Sequence, residues 1–241
     1  MRKPFALSFQ DEELLVADKA PGVLCVPDRY DTQRFNLATK MDALFPGARP
    51  IHRLDRDTSG LVIFARTPAA FKSLSEQMEK RLIKKQYLAL VRGVPPAEGI
   101  IDKPLKRMEH TNRVVVNRSG KASKTEYQVV DSYGNISLVK ILLHTGRTHQ
   151  IRVHFQSIGC PLLVDETYGG AQAFFLSEIK ARYRKGKDRE ERPLLDRVPL
   201  HATILNFKHP RTLEEIELNA KLPKDMRAVI HQLEKRYSKG V

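Results

Sequence analysis

At 241 residues the chain is long enough to bury a full core without disulfides, and its two cysteines, Cys25 and Cys160, stand in no CxxC pair and near no histidine at ligand spacing. A count of 42 Lys plus Arg against 28 Asp plus Glu leaves a formal charge of +14, which favours a polyanionic partner. No run approaches the roughly 18 apolar residues of a membrane span, and the opening MRKPFALSFQDEELLV carries acids where a signal peptide would be apolar, so a reducing, cytoplasmic address is expected.

In chain order, LLVAD (14–18) reads as a strand, Lys19 to Gly22 as a turn and VLCVP (23–27) as a second strand. HRLDRDTSG (52–60) is a polar, glycine-ended loop that runs into the short buried strand LVIFA (61–65). Thr67 at an N-cap with Pro68 at the first helical position starts a helix, and Phe71, Leu74 and Met78 give it an apolar stripe. YLALV (87–91) follows as a strand. TEYQVVDSY and ISLVKILL form a hairpin around Gly134-Asn135, with Tyr127 and Val129 on one face. After Thr145 the period turns helical through Ile151, Phe155 and Ile158, with Thr148 as the expected cap and Gly159 as the stop. The densest basic stretch, Lys180 to Arg192 within a basic insertion at 171–198, mixes three acids with seven bases and reads as a solvated segment touching phosphates rather than a membrane anchor. Two strands around His209-Pro210 precede a final helix with Met226, Val229, Ile230 and Leu233 on one side. No repeat and no linker divides the chain, so the expectation is one α+β domain on a largely antiparallel sheet.

A loop such as 52–60, entering a buried strand, is where a rigid scaffold can present a reactive side chain. On local spacing alone Asp55 could equally cap a turn or pair with Arg53 or Arg56. The wider chain resembles the RluA-type pseudouridine synthases. HRLDRDTSGLVIFA resembles the family signature, KKQYLALVRG (84–93) its second motif, TGRTHQIRVHF (145–155) its third, and PLHA (199–202) with HP (209–210) its closing strands. DEELLVADKAPG resembles the opening strand and turn, with Lys19-Ala20-Pro21 where the family more often has Lys-Pro.

The resemblance implies an isomerase that converts uridine to pseudouridine in structured RNA, ribosomal RNA being favoured over transfer RNA, with no cofactor and as a monomer. Carried over by position, it implies Asp55 as the catalytic aspartate, Tyr87 against the target base and Arg152 as the arginine pairing with the aspartate. It also implies Val153 in the apolar wall and Arg53 in the gap left by the extruded uridine. Because the matching region starts within about ten residues of Met1, no preceding S4-type RNA-binding domain is expected.

The reaction breaks a C–N glycosidic bond, turns the freed uracil and joins its C5 to the ribose, so it needs a carboxylate and a pocket that retains the base, but no redox partner. Whether the carboxylate attacks ribose, attacks base or removes a sugar proton stays open. Burial favours the neutral acid, whereas an adjacent arginine favours the charged form by roughly 1–3 pKa units and fixes its orientation. His149, Arg152 and Gln156 share a helix side that suits phosphates. His144, His149 and His154 recur every five residues, which is not ligand spacing on a helix, and no metal is expected. Two other readings compete. Asp55 and Asp57 resemble a glycosidase pair, against which stand the absence of Trp and the charge of +14. A non-catalytic RNA-binding protein needs only the charge, and leaves the set Asp55, Tyr87 and Arg152 without a purpose.

Overall fold

The computed structural model describes residues 3–28, 30–109, 111, 113–180, 183 and 190–237. Along the chain, β1 (Phe5–Gln10) and β2 (Leu14–Lys19) pair antiparallel across a tight turn. The stretch VLCVP, expected as a strand, is not one. The carbonyls of Leu24 and Cys25 instead accept the first N–H groups of α1 (Leu37–Leu44), at Leu37 and Ala38. A helix N-terminus leaves such donors unsatisfied, and here the preceding loop supplies their acceptors. The short β3 (Arg49–Pro50) precedes β4 (Ser59–Ala65), whose seven residues are all buried. Then α2 (Pro68–Glu79) starts as expected, with Thr67 Oγ1 accepting from the N–H of Ala70.

The middle of the chain continues with β5 (Lys84–Arg92), β6 (Glu98–Asp102), β7 (Leu105–Arg107), β8 (Val114–Val116), β9 (Lys124–Tyr133) and β10 (Ile136–Leu143). Gly134, at φ +62°, makes the two-residue turn between β9 and β10. The remainder holds α3 (Gln150–Gln156), β11 (Leu200–Lys208), β12 (Glu215–Asn219) and α4 (Lys224–Tyr237). The strands and helices make an α+β fold.

The chain forms two compact units that interleave in sequence. The first spans Met1–Tyr87, Leu142–His144 and His201–Lys221, and the second spans Leu88–Ile141, Thr145–Leu200 and Leu222–Val241. The chain passes from one unit to the other inside β5, inside β10 and inside β11, which is why no linker composition marks these crossings. In the first unit β2 pairs antiparallel with β4, from Leu14 opposite Ala65 to Lys19 opposite Gly60. On the other side of β4 lies β11, parallel, with His201 opposite Ser59 and Ala202 opposite Gly60. Gly60 has φ +113°, and a Cβ there would sit 2.2 Å from the carbonyl oxygen of Ala202, so only glycine allows this approach. Leu14, Val16, Leu61, Ile63, Leu74, Leu205 and Phe207 form the core under α2.

In the second unit β6 pairs antiparallel with β9, and β7 with β8 as a separate two-stranded sheet. Leu90, Tyr133, Leu163, Phe174, Leu195, Val229 and Leu233 make its core, so the stripe read on the final helix is its inward face. The basic stretch Lys180 to Arg192 falls largely outside the described residues. The base of the insertion is closed by backbone bonds between Phe174 and Leu195, 2.7 Å from N to O, and between Leu194 and Phe174, 2.8 Å.

Candidate active site

The polar loop 52–60 is held in the first unit by a lysine that the sequence reading passed over. Lys19 is fully buried, and its Nζ donates to the carbonyls of Ala20 at 3.1 Å, Val23 at 2.8 Å and Arg56 at 2.9 Å. The N–H of Gly22 donates to the same Arg56 carbonyl at 2.9 Å. An ammonium has three protons and must place them all when it leaves water. Placed here, they fix the turn after β2 against the middle of the loop. One residue earlier in that loop stands Asp55, half-buried, its carbonyl accepting from the N–H of Thr58 at 3.2 Å. Arg53 is exposed and Leu54 buried, so the loop alternates outward and inward around the carboxylate.

At the start of the loop, His52 Nε2 accepts the N–H of Ile63 at 3.2 Å. That bond requires an unprotonated Nε2, and burial together with the charge of Lys85 pushes the imidazole down to about 3. His52 is thus a neutral support for the loop. At its end, Ser59 Oγ and His201 Nδ1 lie 2.9 Å apart across the parallel β4–β11 pair. Asp57 is bonded to its neighbour Arg56 at 3.2 Å on an exposed edge.

Tyr87, at the last residue of β5 in the first unit, is 6 % exposed. Burial holds its phenol in the protonated form, and the negative charge of Asp55 adds to the effect. Asp55 and Tyr87 are therefore electrostatic neighbours. The buried Cys25 thiol is pushed up mainly by burial and also feels Lys19, Arg53 and Asp55, which places it beside the same loop.

Arg152 and Val153 belong to the second unit, on α3. Arg152 is 9 % exposed, and Asp165 grips it through two parallel bonds, Nε to Oδ2 and Nη2 to Oδ1, both 2.7 Å. The same Asp165 Oδ1 accepts the N–H groups of Thr167 at 3.2 Å and Tyr168 at 3.1 Å. The ring of Tyr168 lies 4.8 Å from the guanidinium. Val153 is 1 % exposed and packs with Leu105, Val114 and Tyr168.

The expected polar stripe of α3 does not face solvent: all residues from Gln150 to Phe155 are buried, and of the three stripe positions only Gln156 is exposed. Nor does Thr148 cap the helix. His149 occupies the N-cap in the left-handed region at φ +53°, with no side-chain cap bond. His154 is enclosed, its Nε2 donating to the Lys103 carbonyl at 2.9 Å and its Nδ1 accepting from Thr125 Oγ1 at 2.8 Å. Among the described residues no group of three His, Cys, Asp or Glu side chains is arranged to hold a metal, and no helix is long and apolar enough to cross a membrane.

The first unit thus holds a rigidly anchored carboxylate loop with a buried phenol beside it, and the second holds a buried arginine fixed by its own acid. Comparison with known proteins gives the class. The sequence pattern of the RNA pseudouridylate synthase family matches residues 13–157, which include the Asp55 loop, Tyr87 and Arg152. The dual-specificity RNA pseudouridine synthase RluA of Salmonella typhi is 36% identical over 206 residues, covering 84% of this chain and 86% of that one. The ribosomal large subunit pseudouridine synthase D of Zymomonas mobilis is 35% identical, covering 95% and 73%. The solved structure of human RNA Pseudouridylate Synthase Domain Containing 4 superposes with a TM-score of 0.72 at 26% identity, covering 95% and 92%.

The fold is that of a pseudouridine synthase. The chain belongs to the RNA pseudouridylate synthase family, and it is an isomerase that converts uridine to pseudouridine in RNA. Sequence reasoning missed Lys19, Asp165 and Tyr168. Only Lys19 had a local signal, as a charged residue ending an apolar strand.

Proposed function

We propose that this enzyme modifies a uridine in ribosomal RNA, with transfer RNA the second candidate, and that Asp55 is its catalytic carboxylate. Tyr87 lies against the target base, Arg152 is the arginine that pairs with the carboxylate, and Val153 belongs to the apolar packing behind it. Arg53 fills the gap left when the uridine leaves its stack. The single observation that carries the reading is the clamp of the buried Lys19 on the Arg56 carbonyl, which fixes the loop that bears Asp55 beside the buried Tyr87.

A negative charge and a protonated phenol at one place suit a carboxylate acting at the ribose while an aromatic ring retains the uracil. Uracil freed from C1′ must rotate before C5 can bond to the ribose, and a flat apolar ring lets it turn without escaping. The C5 hydrogen then leaves as a proton and N1 gains one, so the step balances without a cofactor. The preference for ribosomal RNA rests on the names of relatives, one acting on the ribosomal large subunit and one of dual specificity. In this reading the chain is a single catalytic domain, and the protein works as a cytoplasmic monomer.

RNA labelled with tritium at uridine C5 reports the reaction, because forming the C5–ribose bond releases the label to water. Asp55→Asn should reduce release to background while RNA binding by gel shift persists. Wild-type release from Asp55→Asn would refute the assignment. Equal damage from Asp57→Asn would favour the paired-carboxylate alternative, which the bonding of Asp57 to Arg56 at an exposed edge already speaks against. Pseudouridine maps of total RNA from cells with and without the gene identify the substrate.

A further inference from the structure

We propose that Tyr168 is a positioning residue that makes the orientation of Arg152 depend on the β7–β8 hairpin, so that RNA held by the hairpin sets the guanidinium. The proposal rests on the reading of Arg152 as the partner of the catalytic carboxylate. Its basis is the number of separate elements that one buried phenol joins. The Tyr168 hydroxyl accepts the N–H of Val114, on β8, at 2.8 Å, and lies 2.9 Å from His149 Nδ1, at the N-cap of α3. Its ring lies under the Arg152 guanidinium, and its backbone N–H binds the carboxylate oxygen of Asp165 that also takes Arg152 Nη2. Hairpin, helix start, arginine and counter-ion thus meet on one residue.

Packing alone does not call for a hydroxyl here. Leu105, Val114 and Val153 surround the ring, and a phenylalanine would fill the same volume. The hydroxyl instead fixes two things that would otherwise drift. One is the strand position of Val114. The other is His149, which stands in the left-handed region at φ +53°, a conformation that a residue with a Cβ adopts only when its surroundings hold it there. The edge-on contact of the two rings, 5.6 Å between centroids, adds to that hold. Arg152 lies three residues after His149, one helical turn on, so a change at the N-cap is carried directly to the guanidinium.

The hairpin has the chemistry to sense RNA. Lys106, Arg107 and Arg113 are exposed on it, with Glu109 the exposed acid among the described residues of its tip. Cations so placed attract phosphates. The Arg113 guanidinium also donates to the carbonyl of Thr167, the residue before Tyr168, giving a second strap between hairpin and turn.

The test measures single-turnover tritium release at saturating RNA. Tyr168→Phe keeps the ring and the packing and removes both hydroxyl bonds. It should lower the rate about 10- to 100-fold, as misplacement of a reacting group by a fraction of an ångström does, with RNA affinity close to wild type. In the wild-type background Lys106→Gln/Arg107→Gln should lower the saturated rate, and in the Tyr168→Phe background it should lower it no further, which a merely structural tyrosine would not produce. A wild-type rate for Tyr168→Phe, or additive losses in the combined variant, overturns the proposal. Arg152→Lys separates the two readings. Full activity in it removes the role of Arg152 and this proposal together, whereas an inactive Arg152→Lys beside a fully active Tyr168→Phe removes this proposal alone.

Discussion

Lys19 Nζ and the carbonyl oxygen of Arg56 lie 2.9 Å apart although 37 residues separate them, and the lysine is shut off from solvent. The end of β2 is thereby fastened to the loop that carries Asp55. Lys19→Met keeps much of the volume and leaves the carbonyls of Ala20 and Val23 without that donor, while the Arg56 carbonyl keeps the N–H of Gly22. Each buried acceptor so stranded costs about 1–3 kcal/mol, part of which the removal of a buried charge offsets. A net loss of about 2–4 kcal/mol is expected, read as a fall in the thermal midpoint of roughly 10 °C. The rate of the folded fraction should drop as well, because the loop loses its anchor.

Asp165 and Arg152 form a buried bidentate pair, and removing one partner of such a pair costs about 3–5 kcal/mol. Asp165→Asn puts an amide N–H against the guanidinium, so both stability in urea and the rate per folded molecule should fall. The second unit supplies a control. Arg197 and Asp225 form a similar pair, with bonds of 2.7 and 2.9 Å, at the start of α4. Asp225→Asn should lose comparable stability and keep the rate of the folded enzyme. A similar fall in rate for both variants would mean that Asp165 contributes stability alone.

His52 makes stability depend on pH. Its folded pKa, about 3, lies below the ordinary 6.5, so between those values the unfolded chain binds the proton more readily. Its contribution is complete above pH 6.5 and is lost as pH falls towards 3. His154, pushed down chiefly by burial, acts in the same direction. His52→Gln retains an acceptor for the N–H of Ile63 without a titrating group. Denaturation midpoints between pH 4.5 and 6.5 should vary less in this variant than in wild type, with His154 responsible for the slope that remains. An unchanged slope would show that the ring is protonated in the folded protein.

Elements whose signals are local were legible in the sequence. The Thr67-Pro68 helix start, the Gly134-Asn135 turn and the stripe of α4 each depend on residues within one or two turns of each other, and the structure has all three. VLCVP misled because an apolar run does not tell where its carbonyls go, and here they go to α1. The left-handed His149 was equally hidden, since its conformation is held by a tyrosine 19 residues away. Asp55 and Tyr87 are singled out by motif resemblance, not by spacing. Asp165 and Tyr168 lie in DETYGG, which by composition is an ordinary turn. Their roles exist only once α3 is folded against that turn.

The pairing of β4 with β11 joins residues more than 140 positions apart and comes close enough to require Gly60. A ribosome making this chain has released all of β4 long before it begins β11. Until then the part of this edge of β4 not covered by β3 stays open, and in that interval it can pair wrongly. Ser59, whose hydroxyl meets His201 of β11, and Gly60, where no Cβ fits, restrict what can complete that edge. The enzyme's yield in the cell therefore depends on keeping that edge of β4, opposite β2, from pairing wrongly until its own late strand arrives.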